Sequence, residues 1–304
     1  MGRDVNGTRA KLALGTVQFG LPYGVANVHG QPDEDIVRAI LDHAARSGVR
    51  FLDTASLYGV SEKVLGRSIA PNVSFDIVTK TPKFYGMTPQ AAAALLRETF
   101  HRSLERLACP KVYGLLVHDC EDLLGPVGEV LWQEMKSLQM EGKVEKIGGS
   151  LYTPEQADAL LERFSPGLVQ VPLSILDQRL IEGGQLSRLS GHCVEIHARS
   201  VFLQGAILMK PENLPKHLAG LGPYLDSVAA VAVRHGMDVK TVALQFVAGL
   251  PEVGAIVCGV DTLAQFDELA GVFGRPANYL PEQECRLCAC YNAQLINPAL
   301  WRAT

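Results

Sequence analysis

Several features are scarce or missing in this chain of 304 residues. Basic residues are in slight deficit, 28 Lys and Arg against 32 Asp and Glu, for a formal charge of −4 and a pI near 6.1. The basic footprint that a phosphate backbone demands is absent, so no nucleic-acid partner is expected. No apolar run reaches the ~18 residues needed to cross a bilayer, so no membrane partner is expected either. The opening stretch MGRDVNGTRAK holds no apolar segment of secretory type. Gly2 has its threonine at position 8 rather than 6, outside the myristoylation pattern. A cytoplasmic protein is the expectation. Cysteine is present as an odd seven, which suits reduced thiols. Only Cys285, Cys288 and Cys290 cluster, and no His stands near them to complete a zinc set, so no metal is expected. No linker rich in Gly, Ser or Pro divides the chain, and low complexity is confined to the alanines at 91–94. One domain over 1–304 is the reading.

What is present is a repeated alternation. Short apolar runs at 12–14, 50–52, 75–79, 112–117, 144–148, 168–171, 194–198 and 254–257 have the length and bounds of buried strands. Helical patterns lie between them. Asp33, Glu34 and Asp35 load the start of the first, in which Ile36, Ala39, Ile40, His43 and Ala44 recur on one face. A helix at 61–69 has Ser61 as its expected N-cap. Thr88-Pro89 opens a long helix to about 107, and Thr153-Pro154 opens another, with Thr as cap and Pro at the first helical position. Further helices are expected at 126–141, 182–189, 223–235, 239–248 and 261–272, with an appended one at 281–292. Eight strand–helix steps in one run predict an α/β fold, a (β/α)8 TIM barrel. The competing doubly wound sheet expects a G-x-G-x-x-G after its first strand, and none is there.

In such a barrel the working residues stand at the C-terminal ends of the strands. Asp53 leaves strand two with Tyr58 in its loop, Lys80 ends strand three and His118 follows strand four. Ser150 follows strand five, Gln170 lies in strand six and Arg199 follows strand seven. Neighbouring strands are about 4.8 Å apart, which brings Asp53, Lys80 and His118 together. This group suits hydride transfer to a carbonyl, where the alkoxide that forms needs a proton. A free tyrosine, with a pKa of ~10, donates poorly near neutrality. The expectation is that Lys80 lowers the Tyr58 pKa, that Asp53 holds Lys80 in place, and that His118 polarises the carbonyl.

These residues meet a known pattern. D-T-A-S-L-Y-G-V-S-E (53–62) resembles the signature of the aldo-keto reductases, and Lys80 in V-T-K and His118 in L-L-V-H-D fall in matching contexts and order. The segments 12–20, 148–152, 169–179, 197–208 and 256–269 also resemble the family's opening strand and cofactor bed. The resemblance implies an NAD(P)H-dependent oxidoreductase with Asp53, Tyr58, Lys80 and His118 as its catalytic set. It also implies cofactor contacts from Thr16, from Ser150 and Gln170 at the carboxamide, and from Ser200, Phe202, Gln204 and Gly205 at the pyrophosphate. Gly259, Gln265 and Glu268 would stand at the adenosine end. The chain departs from the family pattern in three places. Leu151 stands where Asn is usual, and Arg199 stands where an aromatic often stacks on the nicotinamide. The segment 259–265 carries no cation and one acid, Asp261. The last departure leans the expected cofactor towards NAD(H), because a 2′-phosphate beside a carboxylate is disfavoured.

The expected substrate walls are Phe19 to Tyr23, Phe84, Tyr85, Met87, Leu151, Tyr152 and Trp301, an apolar lining with a few hydroxyls. It fits a small aldehyde, ketone or sugar, or the corresponding alcohol. Two other classes remain open: a nicotinamide-binding sensor with little turnover, and a Schiff-base aldolase with Lys80 as its amine.

Overall fold

A computed structural model describes residues 10–27, 30–274 and 280–301; the N-terminal residues 1–9, read above for targeting signals, lie outside these. The strands are β1 (Lys11–Gly15), β2 (Phe51–Asp53), β3 (Asp76–Lys80), β4 (Val112–Val117), β5 (Val144–Ser150), β6 (Leu168–Pro172), β7 (Glu195–Arg199) and β8 (Val253–Gly259). They are parallel, each pairs with the next, and β1 pairs with β8, so the sheet closes into a barrel. This closure excludes the open doubly wound sheet.

A period of two along each strand places the site. Successive side chains point to opposite faces. Phe51, Val78, Leu116 and Leu168 fill the barrel interior together with Ala13, Tyr113 and Ala255. Two residues further along these strands, on the same inward face, come Asp53, Lys80, His118 and Gln170. The outward residues, such as Leu52, Ile77, Leu115 and Val169, pack with the surrounding helices in a second, larger core.

The helices follow their start signals. Thr88 and Thr153 each accept an N–H three residues on, from Ala91 and Gln156, and proline opens both helices. The first helix, Glu34–Arg46, buries Val37, Ile40, Leu41 and Ala44, whereas Ile36 is exposed. Its buried stripe is therefore rotated from the expected one. Ser61 is not the cap of the helix Ser61–Ser68; Val60 takes that position with no side-chain bond. The Ser61 hydroxyl instead donates to the Thr16 carbonyl at 2.8 Å, which ties this helix to the end of β1. A short helix, Cys120–Leu124, capped by Asp119, follows His118 and was not foreseen. The stretch 182–189 contributes to two short helices, Arg179–Glu182 and Gln185–Gly191. The expected terminal helix shrinks to Glu282–Arg286, because the chain then turns inward to bury Cys288 and Cys290. There the Cys290 N–H donates to the Leu176 carbonyl at 2.8 Å.

Candidate active site

Lys80 and Asp53 form the fixed part of the site. The Lys80 ammonium donates to both Asp53 carboxylate oxygens, at 2.7 and 2.8 Å, and to the Thr54 carbonyl at 3.1 Å. Both side chains are almost fully buried, at 1% and 7% exposure. Gln170 donates to the same carboxylate at 2.8 Å from across the barrel. Burying two charges is unfavourable unless their geometry is good and their remaining positions are satisfied, and these bonds meet that condition. Tyr58 lies over the pair, with the Lys80 nitrogen 5.1 Å from its ring centroid. His118 meets Tyr58 edge-on, with centroids 5.7 Å apart and planes at 85°. Its backbone N–H is held by Thr81, while its buried Nδ1 has no partner among the described residues.

The electrostatics correct one expectation. The Tyr58 phenol is not lowered towards neutrality; its pKa is raised, first by burial and then by the Asp53 carboxylate, with only Arg199 acting downward. Tyr58 is therefore a phenol that keeps its proton throughout the neutral range. His118 moves the other way, to about 3, through burial and the positive charges of Lys80, Arg199 and Lys83, so its imidazole is neutral at working pH.

The loop bearing Tyr58 is set by close packing. A Cβ on Gly20 would lie 1.9 Å from the Tyr58 carbonyl oxygen and 2.5 Å from the Ser61 nitrogen. Gly59, at φ +54°, is pressed against the Gly20 carbonyl in the same way. Buried hydroxyls complete the seat: Thr16 donates to the Asp53 carbonyl at 2.9 Å, and Ser61 bonds both Thr16 and Thr54.

These side chains open on a cavity of about 410 Å³. Asp53, Tyr58, Lys80 and His118 all line it, as do Thr16, Ser150, Gln170, Arg199 and Ser200. So do Phe202, Gln204, Gly205, Gly259 and Gln265. Glu268 does not: its carboxylate pairs with Lys240. Gln265 lines the cavity while serving the helix Leu263–Phe273, whose start it fixes through Thr262 and the Asp261 N–H.

The lining fits a dinucleotide on three observations. Leu203, Gln204 and Gly205 are consecutively left-handed, with φ of 46°, 55° and 94°, a turn that brings Gln204 and Gly205 to the cavity wall. Ser150, Ser200 and the amides of Gln170 and Gln204 offer neutral donors. Gln18, also in the lining, has a buried amide oxygen without a partner among the described residues.

Several cavity residues were missed by sequence reasoning. Lys240 comes from a helix, Val239–Ala248, that ends no strand. Asn27 comes from the β1 loop and donates to Asp261 at 3.2 Å, whereas Tyr23 of the same loop, an expected wall, does line the cavity. Most of the expected substrate walls lie elsewhere. Phe19 and Phe84 are in the core, Leu21, Tyr85 and Met87 are exposed outside the lining, and Trp301 packs on His217 at 6.2 Å. Leu151 is buried behind the site, and only its carbonyl serves, accepting from Arg199 at 2.8 Å. Among the described residues no group of three His, Cys, Asp or Glu stands close enough to hold a metal ion. None of the described helices is long and apolar enough to cross a membrane.

The profile of the Aldo/keto reductase family matches residues 11–287. The chain is 29% identical over 276 residues to L-galactose dehydrogenase of Arabidopsis thaliana, covering 84% of this chain and 83% of that protein. It is 26% identical to D-threo-aldose 1-dehydrogenase of a Pseudomonas species, covering 86% of this chain and 91% of that one. The fold superposes on an aldo-keto reductase of Bacillus halodurans with a TM-score of 0.74 at 21% identity, over 94% of this chain and 95% of that one.

Proposed function

The chain belongs to the aldo/keto reductase family, and from that premise we propose that it interconverts a carbonyl and an alcohol with a nicotinamide dinucleotide, with Tyr58 as general acid and base. One observation carries the reading: Tyr58, the Lys80–Asp53 pair and His118 meet at one end of a single cavity. The dinucleotide supplies or accepts the hydride. The protein supplies the proton. The neutral His118 ring and the Tyr58 hydroxyl would bond the carbonyl oxygen, and Tyr58 would hand over its proton as that oxygen gains charge. A high pKa suits this task, because the acceptor is a strongly basic alkoxide and the donor must be protonated beforehand. In the oxidation direction the phenol would first have to release its own proton, and the Tyr58 phenolate would then take the proton of the alcohol. Lys80 and Asp53 form a fixed dipole beneath the ring and cannot drift, because Gln170 and the Thr54 carbonyl hold them.

Thr16, Ser150, Gln170 and the turn 200–205 would hold the dinucleotide, with Gly259 and Gln265 at its far end. Two observations favour NAD(H). Asp261 stands in the lining there, and the cation of that region, Lys240, is already paired with Glu268. The relatives named as dehydrogenases of L-galactose and of D-threo-aldoses make an aldose the first substrate class to test. The test is a panel of aldoses, aldehydes and ketones, with the corresponding alcohols, assayed with NADH, NADPH, NAD+ and NADP+. Turnover of an aldose couple, faster with the non-phosphorylated cofactor, is expected. Binding without turnover across the panel would favour the sensor reading instead.

A further inference from the structure

Arg199 is the last residue of β7, and its guanidinium is fixed by neutral groups alone. It lies 4.3 Å over the Tyr152 ring, donates to the Leu151 carbonyl at 2.8 Å, and reaches the Ser200 hydroxyl at 3.2 Å. No carboxylate pairs with it among the described residues. The other cations around the reacting end each stand against a carboxylate: Lys80 against Asp53, Lys83 against Asp119, and Arg179 against Asp177. His118 is neutral, and the Tyr58 and Tyr23 phenols keep their protons. At the far end, Lys240 is met by Glu268, and Asp261 accepts from Asn27. Among the described cations of the reacting end, Arg199 is the one whose charge meets no carboxylate.

That charge has a consequence for a nicotinamide. Hydride transfer needs the ring within about 3–3.5 Å of the carbonyl carbon, and the carbonyl oxygen must reach Tyr58. The ring is thus confined to the end of the cavity where Arg199 already acts on Tyr58, Tyr23 and His118. The oxidised ring carries a positive charge and the reduced ring carries none. The pyrophosphate and both riboses are common to the two forms, so a nearby cation separates them by the ring charge alone.

We propose that Arg199 makes the protein prefer the reduced dinucleotide over the oxidised one, which loads the site for carbonyl reduction. This rests on the proposed nicotinamide chemistry of the same cavity. Like charges several ångströms apart, at an effective dielectric near 20, shift an equilibrium by about tenfold or more. A tenfold preference corresponds to about 30 mV on the two-electron couple when bound. In the oxidation direction the same preference appears as strong inhibition by the reduced product.

Titration calorimetry with NAD+, NADH, NADP+ and NADPH tests this on the wild-type protein, Arg199→Gln and Arg199→Lys, with thermal melts to confirm folding. The reduced form of each accepted pair should bind the wild type about tenfold more tightly. Arg199→Gln should lose most of that ratio, and Arg199→Lys should keep it. Equal change of both forms in Arg199→Gln would assign Arg199 to a shared part of the dinucleotide and overturn the proposal. Equal or tighter binding of the oxidised form by the wild type would overturn it without any variant. If the wild type binds none of the four, the nicotinamide reading itself falls and this inference falls with it.

Discussion

The buried ammonium of Lys80 and carboxylate of Asp53 depend on each other, and this yields the first prediction. Lys80→Met leaves the carboxylate buried and unpaired and should lower stability by about 3–5 kcal/mol. Adding Asp53→Asn should recover part of that loss in denaturant titrations; no recovery would mean that the pair is not energetically coupled. The second concerns His118, whose imidazole is held near 3 and therefore stays neutral as pH falls through the ordinary histidine range. The pH profile of kcat/KM should show no break near 6.5, and a break there that disappears in His118→Gln would contradict the assignment. At this scale the sequence was informative about which residues meet, since a polar residue at the end of an apolar strand is fixed on the barrel rim. It misled on the acidity of Tyr58. Strand ends show that Lys80 is near, but not that burial and the Asp53 carboxylate together hold the phenol up.

Between elements, the contacts that orient the Tyr58 loop run through residues without chemistry of their own. Gly20 and Gly59 are back to back, and a methyl group on Gly20 would collide with the Tyr58 carbonyl. Gly20→Ala should cost about 1–3 kcal/mol through forced displacement. It should also slow turnover by about tenfold to a hundredfold while leaving dinucleotide binding nearly intact, because small misplacements of a reacting group are expensive in rate. Unchanged turnover in a folded Gly20→Ala protein would show that the loop position does not depend on this packing. Helix starts with Thr-Pro were legible, since cap and proline act locally. The terminal helix was not, because a distant carbonyl, that of Leu176, draws Cys290 away from helical bonding.

Across the whole molecule, the rule of two that sets the rim also reaches the opposite end. Counting back from Arg199 gives His197 and Glu195, and from Ser150 it gives Gly148 and Lys146. Glu195 bonds His197 at 2.7 Å, Tyr113 at 2.5 Å and Lys146 at 2.5 Å, closing the barrel bottom with a polar cluster. The inward parity was legible, but the pairing of residues 49 and 82 positions apart was not. These partners hold the Glu195 carboxyl down at about 2, despite burial acting upward. A depressed carboxylate stabilises the fold above its ordinary pKa, and that contribution is lost as pH falls from about 4.5 towards 2. Glu195→Gln should therefore flatten the acid limb of the stability curve, by on the order of 2 kcal/mol between pH 5 and pH 2. An unchanged acid limb would mean that the cluster is not linked to folding. The barrel as a whole exists, on this account, to hold one phenol over a buried ion pair beside a bound dinucleotide. The direct test is Tyr58→Phe, assayed on a carbonyl substrate found in the panel with dinucleotide affinity measured in parallel. Turnover should fall by at least about a hundredfold while affinity stays within about twofold of wild type. Turnover at the wild-type rate would contradict the account at its centre.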